Sequence, residues 1–188
     1  MRFQVVFAAL TSLVALTSAI SIVDNVKFDL RAISAKSADI DNQLNKFGTH
    51  VTYLNDFLVV KGEAEDTANV IKTKTVTLKN IVGKMSREEF RTTMPLFRDL
   101  RLSISKTMKL YIAKKPTVLK VAVNPTQNIY PVAQTKEQLV SLFHLMSEFD
   151  KALGDVLPFD RVLTEGFATI RAEIGFAFIP AINAYRRG

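Results

Sequence analysis

The chain of 188 residues contains no cysteine and no tryptophan, and it has only two histidines. Without cysteine it can form no disulfide and no thiolate metal site, and it has no thiol nucleophile. The sequence also lacks a His-Glu-x-x-His pattern, a Gly-x-Ser-x-Gly pattern and a glycine-rich phosphate loop. These absences argue against an enzyme, and we expect no catalytic residue, no metal and no cofactor.

The first nineteen residues have the layout of a secretory signal peptide. Arg2 precedes an apolar run over residues 5–16, and the small residues Thr17 and Ala19 stand before a cleavage point at Ile20. The apolar run is too short to span a bilayer, and the arginine-rich end of the chain lacks the hydrophobic tail of a lipid-anchor signal. We therefore expect a signal peptide over residues 1–19, a mature domain over residues 20–188 and no transmembrane segment. The protein is expected to be secreted, either extracellular or associated with the cell wall.

The charge balance is basic, with a formal net charge of +7. The basic residues are interspersed with acidic ones, as in residues 87–109, which is typical of a solvated helical face. Because the chain also carries an export signal and no nucleic-acid-binding motif, we expect no nucleic-acid partner. A mild attraction to anionic polymers or lipids is the better interpretation of the charge.

Apolar residues recur at spacings of three and four in the first half of the chain, which predicts amphipathic helices. One stripe runs from Val26 to Phe47, with Asp24 as the expected N-cap and Gly48 just past the end. A second stripe runs over residues 64–82. Residues 71–78 also alternate like a strand, but a single strand without a partner is an improbable element in a helical chain, so we predict a helix.

Three more helices are predicted in the second half. Ser86 and Glu89 form a capping box that opens a helix ending before residues 114–116, and a second capping box at residues 135–138 opens the next. The last helix is expected from about Asp160 to Tyr185, with Pro180 inside it. Together these patterns predict an all-α fold, a single-domain antiparallel bundle of about five amphipathic helices.

Three segments of the mature chain carry a family resemblance. They are residues 110–116 (LYIAKKP), residues 139–158 and the ending over residues 181–185 (AINAY). Their order and spacing resemble the fungal hydrophobic surface-binding protein A family, which includes the antigenic cell-wall galactomannoproteins. The resemblance extends from about Asp24 to Tyr185. It implies a secreted, mannoprotein-like helical domain that adsorbs to apolar surfaces or holds lipid-like ligands, such as long-chain fatty acids, between its helices.

Phenylalanine and methionine are the candidate binding residues, because thirteen phenylalanines fall largely on the apolar stripes. Most such residues form the core of a bundle, but broad rings and flexible thioethers also line adaptable cavities. A ligand head group at the cavity mouth would meet a lysine, an arginine or a hydroxyl, and the sequence does not choose among them. The candidate wall residues, from three helices, are Met94, Phe97, Ile104, Met108, Phe143, Met146, Phe149, Ile170, Ile174 and Phe178.

Two functions remain open at this stage. The first is a non-enzymatic carrier that binds a fatty acid or another apolar small molecule in a cavity between helices. The second is an adhesive protein that adsorbs to hydrophobic or cell-wall surfaces, or docks partner proteins, without a defined pocket. A homodimer is compatible with either. A small secreted hydrolase is disfavoured, because His144 is expected to be a half-exposed helix residue and His50 a loop residue.

Overall fold

Five α-helices and no strand make up the part of the chain that the computed structural model describes, residues 21–49 and 53–186. A short 3₁₀ turn, Pro125–Gln127, lies in the longest connection. The all-α prediction is confirmed, and residues 71–78 are helical. Residues 1–20 and His50 lie outside the described residues. The helices are α1 (Ile22–Lys46), α2 (Tyr53–Lys79), α3 (Arg87–Val118), α4 (Pro131–Val156) and α5 (Arg161–Ala184).

The helices form a closed ring in the order α1, α2, α4, α5, α3. Each helix is antiparallel to the next one along the chain, as short connections require. The neighbours α1 and α3 run parallel, as two contacts show. Ser37 contacts Thr107 near the middle of both helices, and Lys114 donates to the carbonyl oxygen of Phe47 at their C-terminal ends. The contact between α4 and α5 is the least extensive of the five neighbouring pairs.

Several predicted helix boundaries are confirmed. The Ser86 side chain accepts the backbone N–H of Glu89, and the Glu89 carboxylate accepts the N–H of Ser86 at 2.7 Å. Asp160 caps α5 by accepting the N–H of Leu163. Gly48 follows α1 with a φ of +85°, and a Cβ there would lie 2.7 Å from the Thr117 methyl carbon, so only glycine fits.

Other boundaries were predicted wrongly. Ser21, not Asp24, is the N-cap of α1, and its side chain accepts the N–H of Asp24. α4 begins at Pro131, four residues before the expected capping box at Thr135. Proline favours the first position of a helix because its ring fixes φ near the helical value and because the backbone N–H that it lacks would have no partner within the helix. Thr135 itself is buried, and its hydroxyl donates to the carbonyl oxygen of Pro131.

Two helices are also longer than the apolar stripes predicted. α3 continues through Pro116 to Val118, which is buried against the core. α2 begins at Tyr53 rather than near residue 64, and its buried face includes Thr67 and Thr75. Both threonine hydroxyls donate to the carbonyl oxygen four residues earlier, which lets a polar side chain occupy a buried position.

None of the described helices combines the length and the apolar character that crossing a bilayer requires.

Candidate ligand-binding cavity

An apolar cavity of about 230 Å³ lies at the α4–α5 seam, with α3 as its floor. This is where the ring of helices makes its least extensive contact. The α5 residues that line it recur at spacings of three and four, so they form one face of that helix. The lining residues are Phe97, Leu100, Phe143, Met146, Ser147, Phe149, Asp150, Leu153, Phe167, Arg171, Ile174, Gly175 and Phe178.

Aromatic side chains form two of the cavity walls. At one end Phe97 and Phe167 meet edge to face, with ring centroids 4.5 Å apart. At the other end Phe143 and Phe178 bridge α4 and α5 at 5.9 Å. Gly175 lies beside Phe143, and because it has no side chain it leaves space in the wall. The Phe97–Phe167 pair has the preferred edge-to-face geometry, and the rings of Phe143 and Phe178 are tilted at 55° to each other.

One ion pair stands at the mouth of this cavity. The Arg171 guanidinium donates two hydrogen bonds to the Asp150 carboxylate, one from Nε and one from Nη2 (2.5 Å to Oδ2). Both side chains are about one-third exposed, at 35% and 33%. The guanidinium also lies 5.7 Å from the Phe167 ring. The pair therefore joins α4 to α5 across the seam and gives the cavity its polar edge.

A much smaller inner cavity, about 20 Å³, lies deeper in the bundle. Met146 and Phe178 line both cavities, so these two side chains separate them. The inner cavity also has a polar edge, where the Ser37 and Thr107 hydroxyls are 2.8 Å apart. Thr107 donates to the Asp41 carboxylate at 2.5 Å, and Lys106 lies 3.0 Å from the other carboxylate oxygen.

The structure brings eight of the ten candidate residues to these cavities. Whether they bind a ligand stays a prediction. The outer cavity is lined by Phe97, Phe143, Met146, Phe149, Ile174 and Phe178, and the inner one by Ile104, Met108, Met146 and Phe178.

The other two candidates, Met94 and Ile170, line neither cavity, and their part in ligand binding also stays a prediction. Met94 lies one turn before Phe97, where its half-buried side chain packs on the core. Ile170 is buried next to the cavity face of α5, about 100° around the helix from Arg171, and it lines neither cavity.

The sequence analysis missed seven residues of the outer cavity. Leu100 and Phe167 belong to predicted apolar stripes and Leu153 to the stripe of α4, but they were not singled out. Gly175 and the polar residues of the mouth do not belong to an apolar stripe. They come together only through the way the antiparallel helices α4 and α5 are aligned, which the sequence does not show. The seven are Leu100, Ser147, Asp150, Leu153, Phe167, Arg171 and Gly175.

The polar groups outside the cavities include the other side chains that the sequence singled out. No group of three or more metal-binding side chains is found there. His144 is exposed on α4, rather than half-exposed as expected, and lines neither cavity. Lys114, on α3, donates to the carbonyl oxygen of Phe47 at the end of α1.

No protein-family profile and no curated protein matches the chain. Solved structures do match it. AFMP4P in complex with palmitic acid aligns over 87% of this chain and 99% of that one, with a TM-score of 0.73 and 18% identity. Ligand binding domain 2 of the Penicillium marneffei MP1 protein, in complex with arachidonic acids, aligns over 90% and 98%, with a TM-score of 0.65 and 13% identity.

The chain shares their helical fold. Ligand binding domain 1 of the MP1 protein, also complexed with arachidonic acids, aligns over 85% of this chain and 98% of that one. Its TM-score is 0.56 at 15% identity. The match covers nearly the full length of all three chains, so the bundle is a fold found in protein structures solved in complex with fatty acids.

Proposed function

We propose that this protein is a non-enzymatic lipid-binding protein that takes a single long apolar chain, such as that of a long-chain fatty acid, between α3, α4 and α5. The observation that carries the proposal is the apolar cavity at the α4–α5 seam, with one ion pair at its mouth. A cavity with apolar walls and few convergent polar groups is the usual form of a small-molecule site.

The structural neighbours support the same function. Three chains of this fold were solved in complex with palmitic or arachidonic acid, although each is less than 20% identical to this chain. We further propose that the protein belongs to the hydrophobic surface-binding family that its sequence resembles.

A long-chain ligand requires the cavity to enlarge. Ligand pockets usually measure about 300–1,000 Å³, and the outer cavity falls below that range at about 230 Å³. Rotation of Met146 and Phe178 would join the outer cavity to the inner one. Methionine suits this role because its unbranched side chain has several rotatable bonds. The limited contact between α4 and α5 would let the seam widen while the other helix pairs stay in contact.

The apolar walls are sufficient for measurable affinity. Each buried methylene contributes about 0.8 kcal/mol, so a chain of about sixteen carbons offers on the order of 10 kcal/mol. Association itself costs at least about 4 kcal/mol, and ordering the enlarged cavity adds to that cost. The remaining roughly 6 kcal/mol or less corresponds to a Kd of tens of micromolar or weaker. Measurable binding therefore does not need a dedicated polar site, and the chemistry of the head group sets selectivity.

We also propose that the protein is secreted and acts outside the cell or at the cell wall. The signal-peptide pattern of residues 1–19 supports this location. The mass of the chain recovered from culture medium tests it, because cleavage before Ile20 removes those residues.

Surface adhesion is the second candidate function. It is favoured by large apolar side chains that are exposed, among them Phe28 (64%), Phe159 (92%) and Phe176 (66%). These residues lie on different elements, and single exposed apolar residues are ordinary on a protein surface. The cavity is therefore the stronger observation.

Titration with the uncharged fluorophore N-phenyl-1-naphthylamine separates the two functions. We expect saturable binding at one site in the wild type. Ile174→Trp places a large ring in the cavity wall and should weaken binding at least tenfold. The matched control, Ile179→Trp, lies on the same helix outside both cavities and should leave binding unchanged. Unsaturable fluorescence, equal in all three proteins, would leave only surface adhesion.

A further inference from the structure

The mouth of the outer cavity contains a carboxylate that already has a cation, because Asp150 is held by Arg171. The inner cavity is lined by the Thr107 hydroxyl, which donates to Asp41, and Asp41 is itself held by Lys106 outside the lining. Among the described residues that line the two cavities, Arg171 is the one cationic side chain. Neither edge therefore offers a cation without a carboxylate beside it.

An ionised fatty acid would meet this arrangement unfavourably. If its carboxylate took the two bonds that Arg171 now donates to Asp150, Asp150 would stand unpaired in a site that is only about one-third exposed. If Asp150 kept its partner, the ligand would lie beside a second negative charge. Like charges repel more strongly in a partly desolvated site than in water.

An uncharged head group meets no such conflict. A ligand hydroxyl can donate to an Asp150 oxygen or to the Ser147 hydroxyl. It can also accept a hydrogen bond from Arg171 Nη1, which donates no bond to Asp150. The Asp150–Arg171 pair then remains intact, and the two opposite charges still neutralise each other. Polar groups that keep their partners avoid the cost of burying an unpaired charge.

We propose, resting on the lipid-binding function above, that the preferred ligand is a single-chain lipid with an uncharged hydroxyl- or carbonyl-bearing head. Asp150 is the specificity-determining residue that disfavours an ionised carboxylate at the mouth.

A further cation, Lys84, lines a surface groove that Arg171 also lines. Its ammonium group donates to the carbonyl oxygen of Asp155 and lies 3.9 Å from the Phe159 ring. A carboxylate that reached this groove would evade Asp150, so the test includes Lys84→Gln.

The test measures how well dodecanol and dodecanoate each displace N-phenyl-1-naphthylamine, below the concentrations at which they form micelles. Dodecanol is the more apolar of the two and so binds an apolar cavity more strongly whatever stands at the mouth. The test therefore compares the ratio of the two affinities in each variant with the ratio in the wild type. Asp150→Asn removes the negative charge and keeps the side-chain shape, and Asp150→Ser is a second variant without the carboxylate. Glu173→Gln is the matched control, because Glu173 pairs with Arg101 at 2.5 Å across the α3–α5 seam and lines neither cavity.

We expect both Asp150 variants to strengthen dodecanoate binding about tenfold relative to dodecanol, while Glu173→Gln leaves the ratio unchanged. An unchanged ratio in the Asp150 variants, or an equal change in Glu173→Gln, would overturn the proposal. So would a dodecanoate preference in the wild type that Lys84→Gln abolishes. If the fluorophore itself fails to bind the wild type saturably, the lipid-binding function fails and not only the head-group preference.

Discussion

Tyr111 and Tyr185 differ in what their hydroxyl groups do at the α3–α5 seam. Both side chains are buried, at 1% and 2% exposure, and burial raises the pKa of each phenol well above its usual range. The Tyr185 hydroxyl donates to the backbone carbonyl oxygen of Tyr111 at 2.7 Å. The Tyr111 hydroxyl has no hydrogen-bond partner in the described part of the chain. Removing these two hydroxyls should therefore have different consequences.

Tyr185→Phe should lower the free energy of unfolding by about 1 kcal/mol, since it loses a buried hydrogen bond. Tyr111→Phe should leave the free energy of unfolding unchanged or raise it, because it removes a polar group that was buried without a partner. Urea denaturation of the three proteins measures both effects, provided that the slope of the unfolding free energy against urea concentration is the same in all three. A larger loss in Tyr111→Phe than in Tyr185→Phe would contradict this assignment.

At the scale of the element, α5 carries a glycine where a bundle helix would normally carry a side chain. Gly175 lies in the middle of α5, and a Cβ there would lie 3.9 Å from the Phe143 ring, at ordinary contact distance. Gly62, in the middle of α2, has no atom within 4 Å of such a Cβ. The two glycines therefore form a matched pair, one in the cavity wall and one outside it.

Alanine at either position should raise the free energy of unfolding by about 0.5–1 kcal/mol, because glycine is a poor helix former. Only Gly175→Ala places a methyl group in the outer cavity, so only this variant should weaken binding of N-phenyl-1-naphthylamine, by several-fold. Thermal unfolding and the fluorophore titration measure the two effects separately. Equal affinities in the two alanine variants would show that the ligand does not use this part of the seam.

The faces of the helices could be predicted from sequence, whereas several of their ends could not. Residues such as Leu30, Phe97 and Phe149 are buried where the spacing of apolar residues put them. The start of α2 was missed because the exposed Leu58 and Val59 lie between the buried Phe57 and Val60, and this continuous apolar run hides the helical spacing that leads to Ala64. The end of α3 was missed because burial of Val118 keeps the chain helical beyond Pro116.

The cavity walls were partly predictable for the same reason, since they consist of residues on apolar stripes. The mouth was not predictable. Asp150 and Arg171 come together only because α4 and α5 are antiparallel in one register, and a stripe on a single helix carries no information about register. Gly175 was missed because the space it leaves is defined by Phe143 on another helix.

At the scale of the whole molecule, the ring of five helices has one seam with limited contact, and the cavity lies at that seam. The seam between α1 and α3 is held by buried polar contacts, with Ser37, Thr107 and Asp41 bonded to one another. The α4–α5 seam instead has apolar walls and one partly exposed ion pair. The fold thus combines extensive contacts between most neighbouring helices with one seam of limited contact, where we propose that a ligand enters.

The central claim is that a lipid occupies this seam, and native mass spectrometry of the protein purified from a eukaryotic culture medium tests it most directly. We expect the wild type to carry the added mass of one single-chain lipid, and Ile179→Trp to carry it as well. Ile174→Trp, with its cavity wall filled, should be recovered without the added mass. A wild-type protein that stays bare, even after incubation with dodecanol or palmitate, would contradict the account.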